Sequence, residues 1–490
     1  MSMMPVKNIL ANLIGSGWVV LMRLLFTPVY IHFLGVEGYG LVGFAFMVQA
    51  VANILDLGLS KTCNRELARL SCSADFADHA AITLRTFEVV YWGMAVLLGA
   101  VIVLSAPLIA SDWISYEKLS EGEVRRALIL MGLQLALQWP GSMYKGGFFG
   151  LEKHVLLNKI IIATSAFKHI GTSLTLGLFS SSISIFFMCY AMASLVEAFL
   201  LATVLWRLLR KHGSVGQPRF SVSDLKKIWH FSASISGTQL LSVGITQIDK
   251  IVLSKLVPLE WFGYYMLASV AAASLGFLVR PFSTALFPRF SKLVKSDVSQ
   301  FELYSLYHQS CQWVAAFIIP VALVIALYPE PLLFLWTHNA IVANHAAAFL
   351  SLLIVASALN ALMTIPYVMQ LAYGWASLAM YYNAVSLALQ VPLLIVCVES
   401  FGIIGAAMPR ILHNLGYVII LMPLMHKRIL KGELINWYWS GLCKPFLIIS
   451  ACLGFIDAMG NISSNDSTNY IIIFSSLLIG IGIGIMNAKG

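Results

Sequence analysis

Charged residues are scarce in this chain, and extended hydrophilic segments are missing. Only 11% of its 490 residues are charged, whereas 59% are hydrophobic and the mean hydropathy is +0.84. Soluble domains carry about 25% charged residues, so this composition excludes a soluble globular protein. The apolar runs are continuous and do not alternate with polar residues, which argues against a transmembrane barrel.

Motifs for covalent chemistry are also missing. The seven cysteines are scattered without a C-x-x-C pair, so we interpret them as small packing residues and not as disulfides or metal ligands. The sequence contains no P-loop, no nucleophile constellation and no neighbouring carboxylates in a loop. It therefore predicts neither an enzyme nor a cofactor.

Apolar runs are what the chain has in abundance. Many are long enough to cross a hydrocarbon core of about 30 Å, and together they predict an all-α polytopic membrane protein with about 14 transmembrane helices. The predicted spans are 9–34, 41–60, 83–110, 127–149, 155–179, 183–206, 229–256, 262–282, 306–329, 344–373, 375–397, 402–425, 437–459 and 469–486.

The loop charges predict an orientation. If the N-terminus is cytoplasmic, most of the 31 Lys and Arg residues fall on the cytoplasmic side, including those of segment 207–228. The opposite loops carry carboxylates such as Glu37 and Glu260. The positive-inside rule then places both termini in the cytoplasm. The net charge of +9 follows from this topology and does not indicate nucleic-acid binding.

Two short turns predict an internal repeat. "GVEGYG" at 35–40 and "PLEWFG" at 258–263 align with Glu37 on Glu260, and each follows the first helix of a six-helix set. Six helices return the chain to its starting side, so the two sets are predicted to be parallel copies related by a pseudo-two-fold axis along the membrane normal. The alternative is that any short interhelical turn favours glycine and aromatic residues. The predicted domains are an N-terminal bundle (1–206), a basic cytoplasmic linker (207–228), a C-terminal bundle (229–425) and an additional helix pair (426–490).

Basic residues inside the spans are the candidate binding residues. A charge at the centre of a span costs ~2.5–3.5 kcal/mol on insertion scales, so each one needs a reason. The basic positions are Arg23, Lys168, Lys250, Arg280, Arg410 and Lys444. A cavity lined by Arg23, Lys168, Lys250, Arg280 and Arg410 would attract an anion such as phosphate, which arginine binds through two oxygens at once. For Lys444 we favour a structural role.

Four carboxylates in or at the ends of the spans are candidates for coupling or gating. They are Asp56, Glu88, Glu197 and Asp249. Each can serve as a proton or sodium switch. The alternative is that they lock helices together, Asp249 with Lys250 and Glu197 with Lys168, or that Asp56 caps a helix in "DLGLS".

Several of these residues belong to motifs that resemble a known family. The stretches are "FLGVEGYGL" with the preceding Asn12, Gly15 and Pro28, "DLGLS" at 56–60, "RELA" at 65–68, "IDKIVLSKL" at 248–256 and "PFSTALFPRFSKL" at 281–293. They resemble the Wzx-type polysaccharide flippases of the multidrug/oligosaccharidyl-lipid/polysaccharide (MOP) exporter superfamily. The resemblance extends over nearly the whole chain, although many members lack the additional helix pair.

The resemblance implies a fold and a binding mode. It implies two bundles in a V shape around a central cationic cavity, which opens alternately to each side and holds the diphosphate of an undecaprenyl-diphosphate-linked oligosaccharide. Charged family positions are matched by Arg23 and Arg280 in the cavity and by Asp249 and Lys250 in helix seven. Lys168 and Arg410 match no family motif.

The expected function is therefore a flippase for lipid-linked oligosaccharides in the bacterial cytoplasmic (inner) membrane, working by alternating access. Its expected partners are the lipid-linked glycan, membrane lipid, and a polysaccharide polymerase with its chain-length regulator, without nucleic acid. One alternative is a cation-coupled multidrug exporter, which requires acidic residues in the cavity. The other is a membrane polymerase or ligase, which requires a larger outside loop than this chain provides.

Overall fold

The computed structural model of the protein describes residues 3–56, 58–71, 76–211, 219–295, 300–459, 478–482 and 484–485. Within these ranges the regular elements are helices, and the one exception is an isolated parallel bridge between Ser115 and Pro258. The chain divides into two compact units, Met1–Gly263 and Tyr264–Gly490. The all-helical prediction is confirmed.

Among its described residues, the first unit contains eight α-helices and the start of a ninth. They are α1 (Met3–Ala52), α2 (Leu59–Leu70), α3 (Phe76–Leu108), α4 (Glu121–Gln138), α5 (Gly141–Gly150), α6 (His154–Leu178), α7 (Ile183–Arg210), α8 (Val222–Leu256) and α9 (Leu259–Lys295). Helix α1 packs on α6, α4 packs between α3 and α7, and α2 packs on α5. The side chains buried by these contacts include a predicted charge, Glu88.

The second unit continues with helices of more varied length. They are α10 (Gln300–Leu327), α11 (Pro329–Thr337), α12 (Ala340–Leu362), α13 (Thr364–Ala372), α14 (Ser377–Phe401), α15 (Met408–Gly416), α16 (Met422–Arg428), α17 (Leu434–Tyr438) and α18 (Lys444–Met459). Helix α12 packs against α10, α11 and α15, and α18 packs against α10.

Several helices have the length and composition of membrane spans. Seven segments of the described chain meet both criteria, and the longest are Lys7–Asp56 and Ser377–Arg428. Each of these two covers a pair of predicted spans. Large apolar side chains point outward from the helices, for example Leu104 (78% exposed) and Leu178 (75% exposed). Such exposure is costly in water and favourable in lipid, which agrees with a multi-pass membrane protein.

Glycines mark the breaks in the longest helical segments. Gly35 interrupts α1 with φ 70° and ψ 173°, and Gly402 follows α14 with φ 66° and ψ −158°. Side chains other than glycine rarely adopt a positive φ, so these positions set where the helical path can change. The turn predicted at 35–40 therefore begins at its first glycine, and residues 36–52 are helical again.

The two hexapeptides of the predicted repeat pack against each other reciprocally. A Cβ at Gly40 would overlap the carbonyl oxygen of Leu259, and a Cβ at Gly263 would overlap the carbonyl oxygen of Val36. In the alignment of 35–40 with 258–263, these two contacts are equivalent. Small residues allow two membrane helices to approach this closely. The reciprocity supports a repeat more strongly than a shared turn composition does.

The predicted domain limits remain a prediction. The linker 207–228 falls within the first unit, and its residues 212–218 lie outside the described residues. Of the additional helix pair, the first span corresponds to α17 and α18. Most of the second span, 469–486, also lies outside the described residues.

Candidate functional site in the first unit

Arg23 lies in the first half of α1, among apolar residues. Its guanidinium stacks over the ring of Phe46, 3.9 Å from the centroid. The Nε atom is buried and has no hydrogen-bond partner among the described residues. A cation over an aromatic face is stabilised by the ring quadrupole, yet its hydrogen-bonding capacity remains unused. Arg23 is therefore available for an anionic ligand.

Lys168 lies on α6, the helix that packs against α1. Its ammonium is 5.1 Å from the ring centroid of Tyr190, and it has no ion-pair partner within 4 Å in the part of the chain that the structure describes. The neighbouring His169 accepts or donates a 2.8 Å hydrogen bond with the hydroxyl of Tyr30, and Tyr190 stacks on Phe186. The ammonium of Lys168 therefore faces an aromatic ring and has no direct ion-pair partner among the described residues.

Arg23 and Lys168 line the same cavity. The cavity measures about 260 Å³, and its other polar lining residues are Gln49, Gln134, Gln138, His169 and Tyr190. Its described lining contains no Asp or Glu. Two cations, three amides and aromatic rings without a carboxylate make a site suited to an anion. We refer to this space as the cationic cavity.

The predicted partner of Lys168 is engaged elsewhere. Glu197 on α7 forms a 2.8 Å ion pair with Lys145 on α5, so it does not pair directly with Lys168. The Lys145 side chain is 34% exposed and that of Glu197 14%. The sequence allows Glu197 to form a structural ion pair with Lys168. In the structure, the partner of Glu197 is Lys145 instead.

Asp56 closes the short turn between α1 and α2. It accepts hydrogen bonds from the hydroxyls of Tyr91, Ser60 (2.8 Å) and Ser142 (3.4 Å), and a weak one from the backbone N–H of Ser60 (3.4 Å). Gly58 in the same turn has a left-handed conformation. Asp56 thus links the end of α1 to α2, α3 and α5 where the chain bends. It is not the N-cap of α2, which is Gly58 without a side-chain cap bond.

Glu88 is buried on α3 and fully engaged. One carboxylate oxygen accepts from the hydroxyl of Tyr144 at 2.9 Å and from the indole N–H of Trp206 at 2.8 Å, while the other pairs with Arg85 at 3.0 Å. These contacts join α3 to α5 and α7. They fit the alternative in which Glu88 locks helices together.

Lys250 and Asp249 are buried next to each other on α8. The ammonium of Lys250 donates to the carbonyl of Thr246 at 2.7 Å and lies 3.4 Å from the Asp249 carboxylate. The same carboxylate oxygen accepts the backbone N–H of Lys250 at 2.9 Å. The positive charge of Lys250 is thus compensated within its own helix.

The two remaining basic candidates belong to the second unit. Arg280 is exposed on α9, with its guanidinium 4.3 Å from the ring centroid of Phe277. Arg410 is half-buried on α15. The helix face shared with Arg410 includes His413, whose ring contacts the hydroxyl of Ser386 at 2.5 Å. Of the five basic candidates, Arg23 and Lys168 line one cavity formed by described residues. The assignment of all five to the substrate remains a prediction.

The sequence interpretation missed the amides of the cationic cavity. Gln134 and Gln138 are separated by one helical turn on α4, and the Gln134 amide donates to Gln138 at 2.5 Å. Glutamines spaced i, i+4 in an apolar helix share a face, so this spacing could have predicted a polar face on α4. Gln49 on α1 gave no comparable signal. Among the described residues, no group of three or more metal-ligating side chains is found.

The segment that contains this site is similar to known proteins. A family model described as polysaccharide biosynthesis protein matches residues 6–294, which include Arg23 and Lys168. A protein of Shigella flexneri with the provisional name O-antigen transporter is 21% identical over 448 residues. The match covers 90% of this chain and 99% of that protein.

Solved structures share the fold along the length of the chain. The lipid II flippase MurJ in an inward closed conformation aligns with a TM-score of 0.74 at 13% identity, covering 99% of this chain and 100% of that chain. An inward-facing multidrug resistance MATE family transporter of the MOP superfamily aligns with a TM-score of 0.67 at 15% identity. That match covers 84% of this chain and 94% of that chain. At these identities the likeness establishes the fold alone.

Proposed function

Since the chain belongs to the polysaccharide biosynthesis protein family, we propose that it moves undecaprenyl-diphosphate-linked oligosaccharides across the bacterial cytoplasmic membrane. Its fold is that of the MOP exporter superfamily, and it is a multi-pass membrane transporter. The proposed substrate combines a diphosphate with a neutral or weakly charged glycan on a polyprenyl tail. Both termini are proposed to be cytoplasmic, as the loop charges predict.

The cationic cavity is the observation that carries this proposal. Arg23 and Lys168 place two positive charges in one space without a carboxylate in its described lining. Uncompensated charges inside a membrane protein are costly and are retained where they serve a ligand or pathway. A diphosphate offers each cation at least one anionic oxygen, and arginine can bind two.

The main alternative transporter is disfavoured by the same charges. An exporter of cationic drugs needs acidic residues where the drug binds, and two cations would repel such a substrate. The four candidate carboxylates are engaged with protein partners in this structure: Asp56, Glu88, Glu197 and Asp249. They remain candidates for coupling to an ion gradient, because a coupling group can exchange partners during transport.

Transport by this route needs no covalent chemistry. The rocking of two bundles would expose the cationic cavity to each side of the membrane in turn, and the substrate would leave chemically unchanged. A polysaccharide polymerase and its chain-length regulator are the proposed downstream partners, because they consume exported repeat units.

A transport assay with purified variants tests the proposal. Wild-type protein in liposomes should make an undecaprenyl-diphosphate-linked oligosaccharide accessible to an added lectin. Arg23→Ala and Lys168→Ala should each slow this appearance by at least about tenfold, as expected when an ionic hydrogen bond to the substrate is lost. Arg23→Lys should be intermediate, because lysine keeps the charge but not the bidentate geometry.

The matched control is Arg69→Ala. Arg69 is an exposed arginine of the same unit that pairs with Glu66 at 3.0 Å, outside the cavity. Its variant should transport at the wild-type rate. Wild-type rates from both cavity variants, with normal protein incorporation, would overturn the assignment of the cationic cavity to the substrate.

A further inference from the structure

A positive charge without a protein partner lies at the start of α18, in the second unit. Lys444 falls about 10 Å inside the predicted span 437–459, since each helical residue advances the chain by about 1.5 Å. Its side chain is exposed, and among the described residues it has no ion-pair or hydrogen-bond partner. The described residues thus provide no partner for the structural role expected from the sequence. A charge inside a span is costly, so Lys444 needs another explanation.

A basic loop precedes this part of the chain. Lys427 and Arg428 end α16, Lys431 follows in the loop to α17, and all three are exposed. The one carboxylate of segment 426–436 is Glu433, which lies 2.8 Å from the Nε2 atom of His308 on α10. No ion pair joins Glu433 to the three basic residues in the described structure. The loop, which is predicted to face the cytoplasm, therefore keeps an excess of positive charge.

An exposed apolar stripe lies between the basic loop and Lys444 and continues beyond it. Ile435 on α17 is 80% exposed, and Trp439 is 57% exposed in the π-helical turn that joins α17 to α18. Leu447 on α18 is exposed as well, whereas Trp437 is fully buried. One face of this segment therefore packs inside the protein, and the other is free to contact lipid. Tryptophan favours the level between headgroups and acyl chains, which agrees with Trp439 near the membrane interface.

The charge of Lys444 selects a partner for this surface. Loop cations alone follow from the predicted orientation and indicate no ligand, but Lys444 is not a loop residue. Long lysine side chains near a helix end extend toward the interface, where the available anions are lipid phosphates. Anionic lipids of the cytoplasmic leaflet also attract basic segments next to a span. A soluble anion would leave the apolar stripe uncovered, whereas the acyl chains of a lipid would cover it.

We propose that this surface binds an anionic phospholipid of the cytoplasmic leaflet. Its phosphate lies between the loop cations and Lys444, and its acyl chains lie along Ile435, Trp439 and Leu447. We refer to these residues, together with Lys427, Arg428 and Lys431, as the lipid patch. The patch belongs to α16, α17 and α18, so it assigns a role to the first of the two additional helices: the bound lipid fixes the depth of that helix in the membrane. The inference does not depend on the transported substrate.

A binding experiment with two phospholipids tests this inference. Purified protein in detergent is titrated with palmitoyl-oleoyl phosphatidylglycerol and separately with the phosphatidylethanolamine that has the same acyl chains. Native mass spectrometry then quantifies the first lipid bound. Wild type should bind phosphatidylglycerol at least about tenfold more tightly, because several cations attract its net charge and repel the ammonium of phosphatidylethanolamine. This preference should fall as ionic strength rises, since exposed charges are screened by salt.

The variants locate the preference on the lipid patch. Lys444→Gln should lower it by about fivefold, the usual contribution of one basic residue near an anionic lipid, and Lys444→Arg should retain it. Adding Lys427→Gln and Lys431→Gln to Lys444→Gln should lower it further. The matched control is Lys159→Gln, because Lys159 is an exposed lysine near the cytoplasmic end of the predicted span 155–179. This variant should keep the wild-type preference. Unchanged binding of phosphatidylethanolamine establishes that each variant is folded.

Three outcomes would overturn the lipid patch. One is equal binding of the two phospholipids by wild type. Another is an equal loss in Lys444→Gln and Lys159→Gln, which would indicate a general attraction of anionic lipids to cytoplasmic lysines. The third is weaker binding of undecaprenyl diphosphate by Lys444→Gln with an unchanged phospholipid preference, which would assign the surface to the transported lipid. The transport assay on Arg23→Ala is a separate measurement, so the inference and the proposed function can fail independently.

Discussion

The turns 35–40 and 258–263 have similar sequences and equivalent glycine contacts, but their carboxylates differ. Glu37 is 4% exposed and accepts the backbone N–H groups of Glu117 (2.6 Å) and Lys118 (2.8 Å). Its equivalent, Glu260, is partly exposed and accepts the ammonium of Lys118 at 2.7 Å. The same residue type thus serves as a buried anchor in one turn and a surface ion pair in the other.

The difference originates in the loop between α3 and α4. Residues 114–120 contact both turns, and the carbonyl of Ser115 accepts the N–H of Leu259 at 2.7 Å. Nearby, the indole of Trp113 donates to Ser254 at 3.0 Å, and Lys255 donates to the carbonyl of Asp112. The two turns therefore present equivalent backbones, whereas their different contacts with the loop between α3 and α4 make their side chains unequal.

Substitution of the two contact glycines should have the largest effect. Gly40→Ala and Gly263→Ala should each destabilise the protein by about 3 kcal/mol or more, because the new Cβ would lie 2.4 Å from a backbone carbonyl oxygen that cannot move alone. The measurement is the midpoint of thermal unfolding in detergent. Gly17→Ala on α1 is the matched control, since a Cβ there meets nothing within 4 Å. Equal midpoints for Gly40→Ala and Gly17→Ala would refute the close-contact interpretation.

Loss of the buried anchor should rank second. Glu37→Gln should cost about 1.5–3 kcal/mol, the usual contribution of hydrogen bonds to a charged group, because an amide has only one acceptor for two N–H groups. Glu260→Gln should cost less than about 1 kcal/mol, since exposed ion pairs contribute little. Denaturant titration of the two variants compares them directly. Equal losses would contradict the distinction between anchor and surface pair.

The surface pair should give the smallest effect, and it should depend on pH. Lys118→Ala should cost about 0.2–1 kcal/mol, and less at high salt. The hydrogen bond to Glu260 raises the pKa of Lys118 above its ordinary value. The stabilisation is therefore complete below the unfolded lysine pKa of about 10.4 and is lost as pH rises through the higher folded pKa. Unfolding midpoints of wild type and variant should converge above that pH, and a constant difference would exclude this ion pair as the cause.

The candidate site was only partly predictable from the sequence. Arg23 and Lys168 stand out individually, because a charge in an apolar run is rare whatever its surroundings. Their common cavity depends on how α1 packs against α6. Hydropathy does not encode how far each helix is rotated about its own axis, so it does not predict which side chains face each other. The partner of Glu197 likewise depends on which helix faces it, so Lys145 on α5 was not anticipated.

By itself, the sequence determined the helical class, the apolar spans, the break at Gly35 and the matching turns, because composition, glycine geometry and helix length act locally. It also determined the family through its motifs. Only the tertiary structure decided that Glu37 is buried and that Arg23 and Lys168 line one cavity. These properties depend on distances between residues remote in the chain, which are set by the packing of whole helices and not by any local pattern.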